Sequence, residues 1–490
     1  MKEYTNKMIK GVAVNALGVI PKLLRPLYLI LFSRALGIEK YGLYILVTVF
    51  VEVFAKFTIM GTNGGILHLM SFLKDRKQEK FIPTVIHLSA IGVFIFGLLI
   101  ASLLYFFAPW VAHSVFDKPE ITDELRYFVW ILPVISTAYV YAGALRDTMN
   151  MKYEVLNQSF LEPLIILIFG LIFIHFFGVM GLAFAYILAH TTTTTIMCAV
   201  TKKIYGPFVW AKEVIFFPWK KFLRDSFYYF GMRGLNLLKH QMDVFIVGRF
   251  FTLKDVAIYS AALEISAAIK RLRFVLEPIL MPVVQSIEKA GISSQETKRY
   301  LSSILRYLSY PCLLVIGFLM IKSKFVLSFF GPNFTQGVDL VVILVLAQYF
   351  FSVFGILEAV LYMYGKTHVA FLHNIYLLVL NVCLLIVLIP QYGLMGAALS
   401  TLIAVFVVGW LNVYKHYTIK GYIPFVSFFA RHVTIFSVLM AILFVFRKTF
   451  LQNEISSWIT AGFFVATFGG YILHELKHSL SFSDVRKVAS

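Results

Sequence analysis

The stretch EISAAIKRLRFVLE, residues 264–277, decides how this chain is read. Glu264, Lys270, Arg271, Arg273 and Glu277 sit there between two apolar runs, VAIYSAAL at 256–263 and PILMPVVQSI at 278–287. On a soluble helix such charges would simply face water. In hydrocarbon, a charged side chain facing lipid at mid-bilayer costs at least about 2.5–3.5 kcal/mol, so it must turn towards a bundle interior or an aqueous cavity. The rest of the sequence decides which solvent applies.

The 490 residues are 60% hydrophobic and only 14% charged, against about 25% charged in soluble domains. That composition excludes a water-soluble multidomain enzyme and points to a polytopic membrane protein. Cys198, Cys312 and Cys383 all fall within apolar runs and offer neither metal-ligand spacing nor a disulfide framework. The N-terminal stretch does not read as a cleavable signal, because Lys22 and Arg25 interrupt its apolar core and no small-residue cleavage site follows.

A helix needs about 20 mainly apolar residues to cross the hydrocarbon core. Fourteen segments qualify, at 11–33, 41–62, 82–108, 126–146, 155–176, 180–201, 225–249, 256–284, 300–321, 338–362, 367–389, 394–415, 424–446 and 455–474. An even number of spans puts both termini on one side. That side carries 24 Lys and Arg in its loops and tails, against 10 on the other, so both termini are expected in the cytoplasm. LKDRKQEK at 73–80 and the segment 202–224 dominate the basic side. The excess of 44 basic over 25 acidic residues is therefore a topology signal. Nucleic acid is not expected as a partner, whereas anionic lipid headgroups suit the basic loops.

An internal repeat organises the spans. GVMGLAFAYILA at 178–189 matches GLMGAALSTLIA at 393–404, an offset of 215 residues. The same offset lays RALGIEKYGLYI at 34–45 over RFFTLKDVAIYS at 249–260, pairing Tyr44 with Tyr259, Lys56 with Arg271 and Arg25 with His240. Six spans per repeat is an even number, so the halves insert in the same direction. The expected fold is all-α: two parallel six-helix lobes around a central cavity, with two further C-terminal helices. The lobes take 1–210 and 211–422, spans 13 and 14 take 423–475, and 476–490 is a cytoplasmic tail. The Gly-x-x-Gly pairs within the repeat read as close helix packing, as do the threonines of HTTTTT at 190–195.

Apart from the residues at span ends, which count with the loops, sixteen charged residues fall inside spans, and twelve of them lie in spans 1, 2, 7 and 8, the first two of each repeat. These twelve are eight bases and four acids, a net charge of +4. Helical spacing places Lys22 with Arg25, Glu52 with Lys56, Arg233 with His240, Glu264 with Arg271, and Arg273 with Glu277 on shared faces. Mutual neutralisation accounts for Arg273–Glu277 and is one reading of Glu52–Lys56, but it fails on the total; in the cavity reading Arg271 and Lys56 supply charge that no acid balances. An uncompensated positive cavity is expensive unless an anion visits it. The anion-binding candidates are Lys22, Arg25, Lys56, Arg233, Lys239, His240 and Arg271. Glu52, Asp243 and Glu264 are candidates for Na⁺ or H⁺ coupling, and no metal or other cofactor is expected. Tyr28, Tyr228, Tyr229 and Phe274 are either sugar-stacking rings or interfacial anchors.

The fourteen spans in a 6+6+2 plan, LGIEKYGLY at 36–44 and the GVMGLA and GLMGAA elements resemble the lipid-linked oligosaccharide flippases. These are the O-antigen, capsule and polysaccharide exporters of the multidrug/oligosaccharidyl-lipid/polysaccharide superfamily. The likeness extends over nearly the whole chain, and its motifs mark the fold rather than substrate contacts. It implies transport of an undecaprenyl-pyrophosphate-linked repeat unit from the cytoplasmic to the outer leaflet of a bacterial inner membrane by alternating access. It implies membrane lipid as surroundings, and a polysaccharide polymerase and chain-length machinery as partners. A peptidoglycan-precursor flippase and a multidrug exporter share the fold. The net-positive cavity argues against cationic drugs but does not separate the two pyrophosphate lipids. A membrane polymerase is disfavoured: the longest external connection, 109–125, holds clustered acids and no catalytic constellation, and no Walker motif occurs. The chain is therefore expected not to be an enzyme.

Overall fold

The computed structural model describes residues 24–146, 155–208, 219–289, 294–423, 434–436 and 454–479. All regular structure among them is helical. The long elements are α1 (Leu24–Leu36), α2 (Ile38–Ile59), α3 (Thr62–Asp75), α4 (Ile82–Trp110), α5 (Thr122–Phe128), α6 (Ile131–Arg146), α7 (Glu162–Phe177) and α8 (Val179–Tyr205). They continue with α9 (Trp219–Phe250), α10 (Leu253–Lys289), α11 (Ser294–Ser328), α12 (Val338–Met363), α13 (Thr367–Lys420) and α14 (Glu454–Ser479). Among the described residues, eight helical stretches are long and apolar enough to cross a membrane, or nine if the bent α5–α6 pair is one span. The expected span at 424–446 lies outside the described residues except for 434–436.

The helices differ in what surrounds them. Helix α2 is buried over most of its length: Tyr41, Tyr44, Leu46, Val47, Phe50 and Ala55 are all buried. Helix α4 buries Ile86, Ala90, Val93, Gly97, Ala101 and Leu104 on one face and exposes Ile95, Leu99, Leu103 and Phe106 on the other. An apolar outer face of this kind fits lipid rather than water. Helices α9 and α10, at 32 and 37 residues, are also long enough to cross. Both carry too many charges to count as apolar spans.

The fourth expected span starts earlier than its apolar run and is bent by 42° between α5 and α6. Pro133 stands in the first turn of α6, where a proline is tolerated, and without an N–H it cannot continue a helix from Val129, four residues before it.

The repeat reappears as backbone conformation. Gly178 separates α7 from α8 at φ 58°, ψ −135°, and Gly393 breaks α13 into two limbs at φ 61°, ψ −141°. These positions are 215 residues apart, and both need a residue without Cβ. One turn later, a Cβ on Gly181 would collide with the Phe173 carbonyl and one on Gly396 with the Leu388 carbonyl, again a matched pair at the same offset.

The described residues pack as two compact units, one within 20–260 and one within 261–479. In the first, Leu69, Met70, Val85, Ile86, Tyr141 and Met197 form a core shared by α3, α4, α6 and α8, and α9 packs along α2 and α3. In the second, α12 lies against α13 around Leu377, Ala404, Val405 and Val408. Helix α14 packs on α11 there, where Lys322 donates to Ser457 Oγ at 2.6 Å and stands 3.9 Å from the Trp458 ring. The packing boundary at 260/261 differs from the repeat boundary at 210/211 by the position of α9 and the first turns of α10.

Candidate functional site

In the first unit, α1, α2 and α9 bring three polar side chains together. The carboxylate of Glu52 on α2 places Oε1 3.8 Å from the Arg25 guanidinium of α1. Its Oε2 accepts a close hydrogen bond from Gln241 Nε2 on α9. The arginine side chain is 53% exposed and the glutamate 27%, so the cluster borders open space rather than a dry core. One turn along α2, the Lys56 ammonium stands 4.9 Å from the centre of the Tyr139 ring of α6. Tyr28 is buried next to Phe32, and Tyr44 and Tyr186 hydrogen-bond through their hydroxyls at 2.8 Å. Beyond them Phe50, Phe116 and Phe245 pack ring to ring, Phe116 and Phe245 at 4.9 Å.

In the second unit, α10 carries the positive charge. Arg271 and Glu264 form a close ion pair, about one-quarter and one-sixth exposed. Arg273 points elsewhere: it is buried and donates to the Phe351 and Gly355 carbonyls of α12 at 3.3 and 2.8 Å. Its guanidinium lies over the Phe351 ring at 5.2 Å, and the Lys270 ammonium reaches the same ring at 5.7 Å. Beyond Gly355 a small pocket is lined by Glu358, His373, Asn374 and Asn412. There Asn374 donates to Glu358 at 2.7 Å, and His373 Nδ1 meets Asn412 Oδ1 at 2.7 Å.

Several expected pairings are corrected by this geometry. Glu52 does not neutralise Lys56: its two oxygens are turned to Arg25 and Gln241, and Lys56 rests on an aromatic face instead. Arg271 does not stand unbalanced, since Glu264, two helical turns earlier, pairs with it. Arg273 is committed to α12 carbonyls. Lys22 lies outside the described residues, as do the side chains of Arg233, Lys239, His240, Tyr228, Tyr229, Phe274 and Glu277. Asp243 is buried on α9. Threonines 192, 193 and 195 donate to carbonyls of their own helix, and Thr194 to Val134 of α6, the packing role expected of that run. Among the described residues no three His, Cys, Asp or Glu side chains are grouped to hold a metal. Gln241 was invisible to a charge census because it has no charge. Its sequence signal is only that of a polar side chain within an apolar span.

Residues 8–284, more than half of the chain, match the sequence family described as polysaccharide biosynthesis protein. The chain belongs to that family. Two relatives of the chain are distant. An uncharacterised membrane protein of Methanocaldococcus jannaschii is 23% identical over 440 residues, covering 83% of each chain. A Shigella flexneri protein named as an O-antigen transporter is 23% identical over 408 residues, 80% of this chain and 94% of that one. Among solved structures, the lipid II flippase MurJ in an inward closed conformation superposes with a TM-score of 0.75 over 95% of this chain and 99% of that one, at 14% identity. An inward-facing MATE family transporter of the MOP superfamily gives 0.63 over 82% and 94%, at 17% identity. These likenesses show that the chain has the fold of MurJ and of the MATE protein, and its long apolar helices make it a multi-pass membrane protein.

Proposed function

We propose that the protein is a flippase that moves an undecaprenyl-pyrophosphate-linked oligosaccharide from the cytoplasmic to the outer leaflet of the inner membrane by alternating access, for polysaccharide biosynthesis. Both termini lie in the cytoplasm in this reading. The observation that carries it is the charge on the opening helices of each repeat. In the first, Arg25 faces Glu52 at 3.8 Å while Lys56 rests on the Tyr139 ring; in the second, Lys270, Arg271 and Arg273 crowd the middle of α10, where Glu264 pairs with Arg271. Guanidinium groups hold phosphate oxygens by charge-assisted, bidentate hydrogen bonds. A pyrophosphate therefore supplies what these helices lack, while the prenyl tail stays in lipid. Family membership and the Shigella flexneri relative support the polysaccharide assignment. The superposition on MurJ favours a second reading, a peptidoglycan precursor as cargo, which presents the same pyrophosphate. Glu52, Asp243 and Glu264 are the candidate carboxylates for Na⁺ or H⁺ coupling, and a polymerase with its chain-length machinery would receive the product.

The test is flipping in proteoliposomes of a fluorescent glycan on undecaprenyl pyrophosphate against the same glycan on a phosphate-free prenyl ether. Transport of the pyrophosphate lipid alone, lost in Arg25→Ala with Lys56→Ala, is the expected result. Equal transport of both lipids removes the electrostatic basis of the assignment. Competition by lipid II then separates the two cargos.

A further inference from the structure

Glu52 is held unevenly. Its Oε2 is in close contact with Gln241 Nε2, whereas its Oε1 is 3.8 Å from the Arg25 guanidinium, well beyond the roughly 2.7–2.9 Å of a charge-assisted hydrogen bond. The amide, which is neutral, has the firm grip, and the arginine has the loose one. Arg25 is also the more exposed partner, so an anion reaching the cluster meets the guanidinium before it meets the carboxylate. A carboxylate presents two oxygens in one plane, as a phosphate does to the same guanidinium fork. Glu52 thus imitates the ligand proposed for Arg25 and adds no positive charge of its own.

We infer that Glu52 is a place-holder for the anionic headgroup on Arg25, and that Gln241 is the positioning residue that keeps it loose. In the empty protein Glu52 balances Arg25 and lowers the cost of a cation in a membrane helix. An arriving pyrophosphate takes the guanidinium, and the displaced carboxylate stays on the Gln241 amide instead of following the arginine. When the headgroup leaves, Glu52 returns. A transporter needs such an exchange, because a cationic site with no internal competitor would hold its cargo too long to release it. The inference rests on the pyrophosphate reading for its ligand. It goes beyond that reading in giving an acid and a neutral amide the task of setting affinity.

The experiment is titration of inorganic pyrophosphate into the full chain in nanodiscs at fixed ionic strength, with melting temperature recorded for each variant. Glu52→Gln should bind more tightly, by about tenfold, the effect at water-like dielectric of removing a unit charge some 5 Å from a doubly charged group. Removing any nearby acid would push in that direction, so the deciding variant is Gln241→Leu, which changes no charge. Without its amide, Glu52 rests wholly on Arg25, and pyrophosphate should bind several-fold more weakly. The Glu52→Gln, Gln241→Leu double variant should return to the affinity of Glu52→Gln alone. An unchanged affinity in Gln241→Leu, a weaker one in Glu52→Gln, or no pyrophosphate binding by any variant overturns the place-holder. Loss of the flippase reading looks different: wild type then fails to move the pyrophosphate-linked glycan although the affinity series behaves as stated.

Discussion

Lys118 is a lysine that the protein has taken out of water. It lies between α4 and α5, is 8% exposed, and donates to the Phe116 carbonyl at 3.2 Å and to Gly248, in the last turn of α9, at 2.7 Å. Burial pushes its pKa below the ordinary lysine value; Glu120 and Asp117 oppose that and Arg249 adds to it. A depressed lysine pKa means that the folded state disfavours the ammonium. Between that lowered value and the ordinary one near about 10.4, the unfolded chain binds more protons than the folded one, so folding stability rises with pH across that window. The thermal unfolding temperature of wild type should therefore gain on that of Lys118→Met as pH is raised from neutral towards 10. A difference that stays flat with pH would mean the ammonium keeps its water. Residues of this kind show what a sequence hides. The charges of α1, α2, α9 and α10 were legible, because ionisable side chains stand out in apolar runs. Their partners were not. Spacing along one helix put Lys56 beside Glu52, but the acid turned to Arg25 and Gln241 on neighbouring helices. Arg273 likewise needed Gly355 on α12, where a Cβ would fall on the guanidinium.

At the scale of elements, the repeat was legible as two matched motifs, and the structure divides the labour of their glycines. Gly181 and Gly396 give the close packing that Gly-x-x-Gly led us to expect, each against a carbonyl of the preceding helix. Gly178 and Gly393 do something the motif did not reveal: each turns the chain from one membrane helix into the next through a single residue at φ near 60° and ψ near −140°. With apolar sequence on both sides, such a turn looks like the interior of a helix, and nothing in periodicity marks it. A side chain in that region costs on the order of 1–3 kcal/mol. Gly178→Ala and Gly393→Ala should each lower the unfolding temperature of the purified protein, and by similar amounts, because the two backbones are nearly the same. Asparagine should rescue neither, since ψ lies outside the left-handed helical well that Asn tolerates. A full-stability Gly393→Ala would show that the turn can relax, and the conformational likeness of the two halves would lose its meaning. The bend between α5 and α6 was hidden for a related reason: Pro133 falls inside an apolar run that composition alone extends as one straight span.

For the whole molecule, the class of fold followed from composition and the order of spans from hydropathy, whereas the way round in the membrane rests on loop charge alone. Helix α4 is the element that tests it. Its 29 residues reach about 43 Å at 1.5 Å per residue, more than the roughly 30 Å hydrocarbon core, so its two ends must emerge on opposite faces if it crosses. Lys77 stands in the connection before it and Asp117 in the connection after it, both at left-handed backbone positions outside regular helix. The Lys77 connection belongs to the side with 24 basic residues and the Asp117 connection to the side with 10. A cytoplasm-active reporter fused after Lys77 should score, and one active only outside should score when fused after Asp117. Both fusions on one face would mean that α4 does not cross, and every later span in the order would change sides with it. Opposite faces but with the signs exchanged would keep the fold and reverse the orientation, so that the proposed cargo would be moved inward and the flippase reading would fail on direction alone.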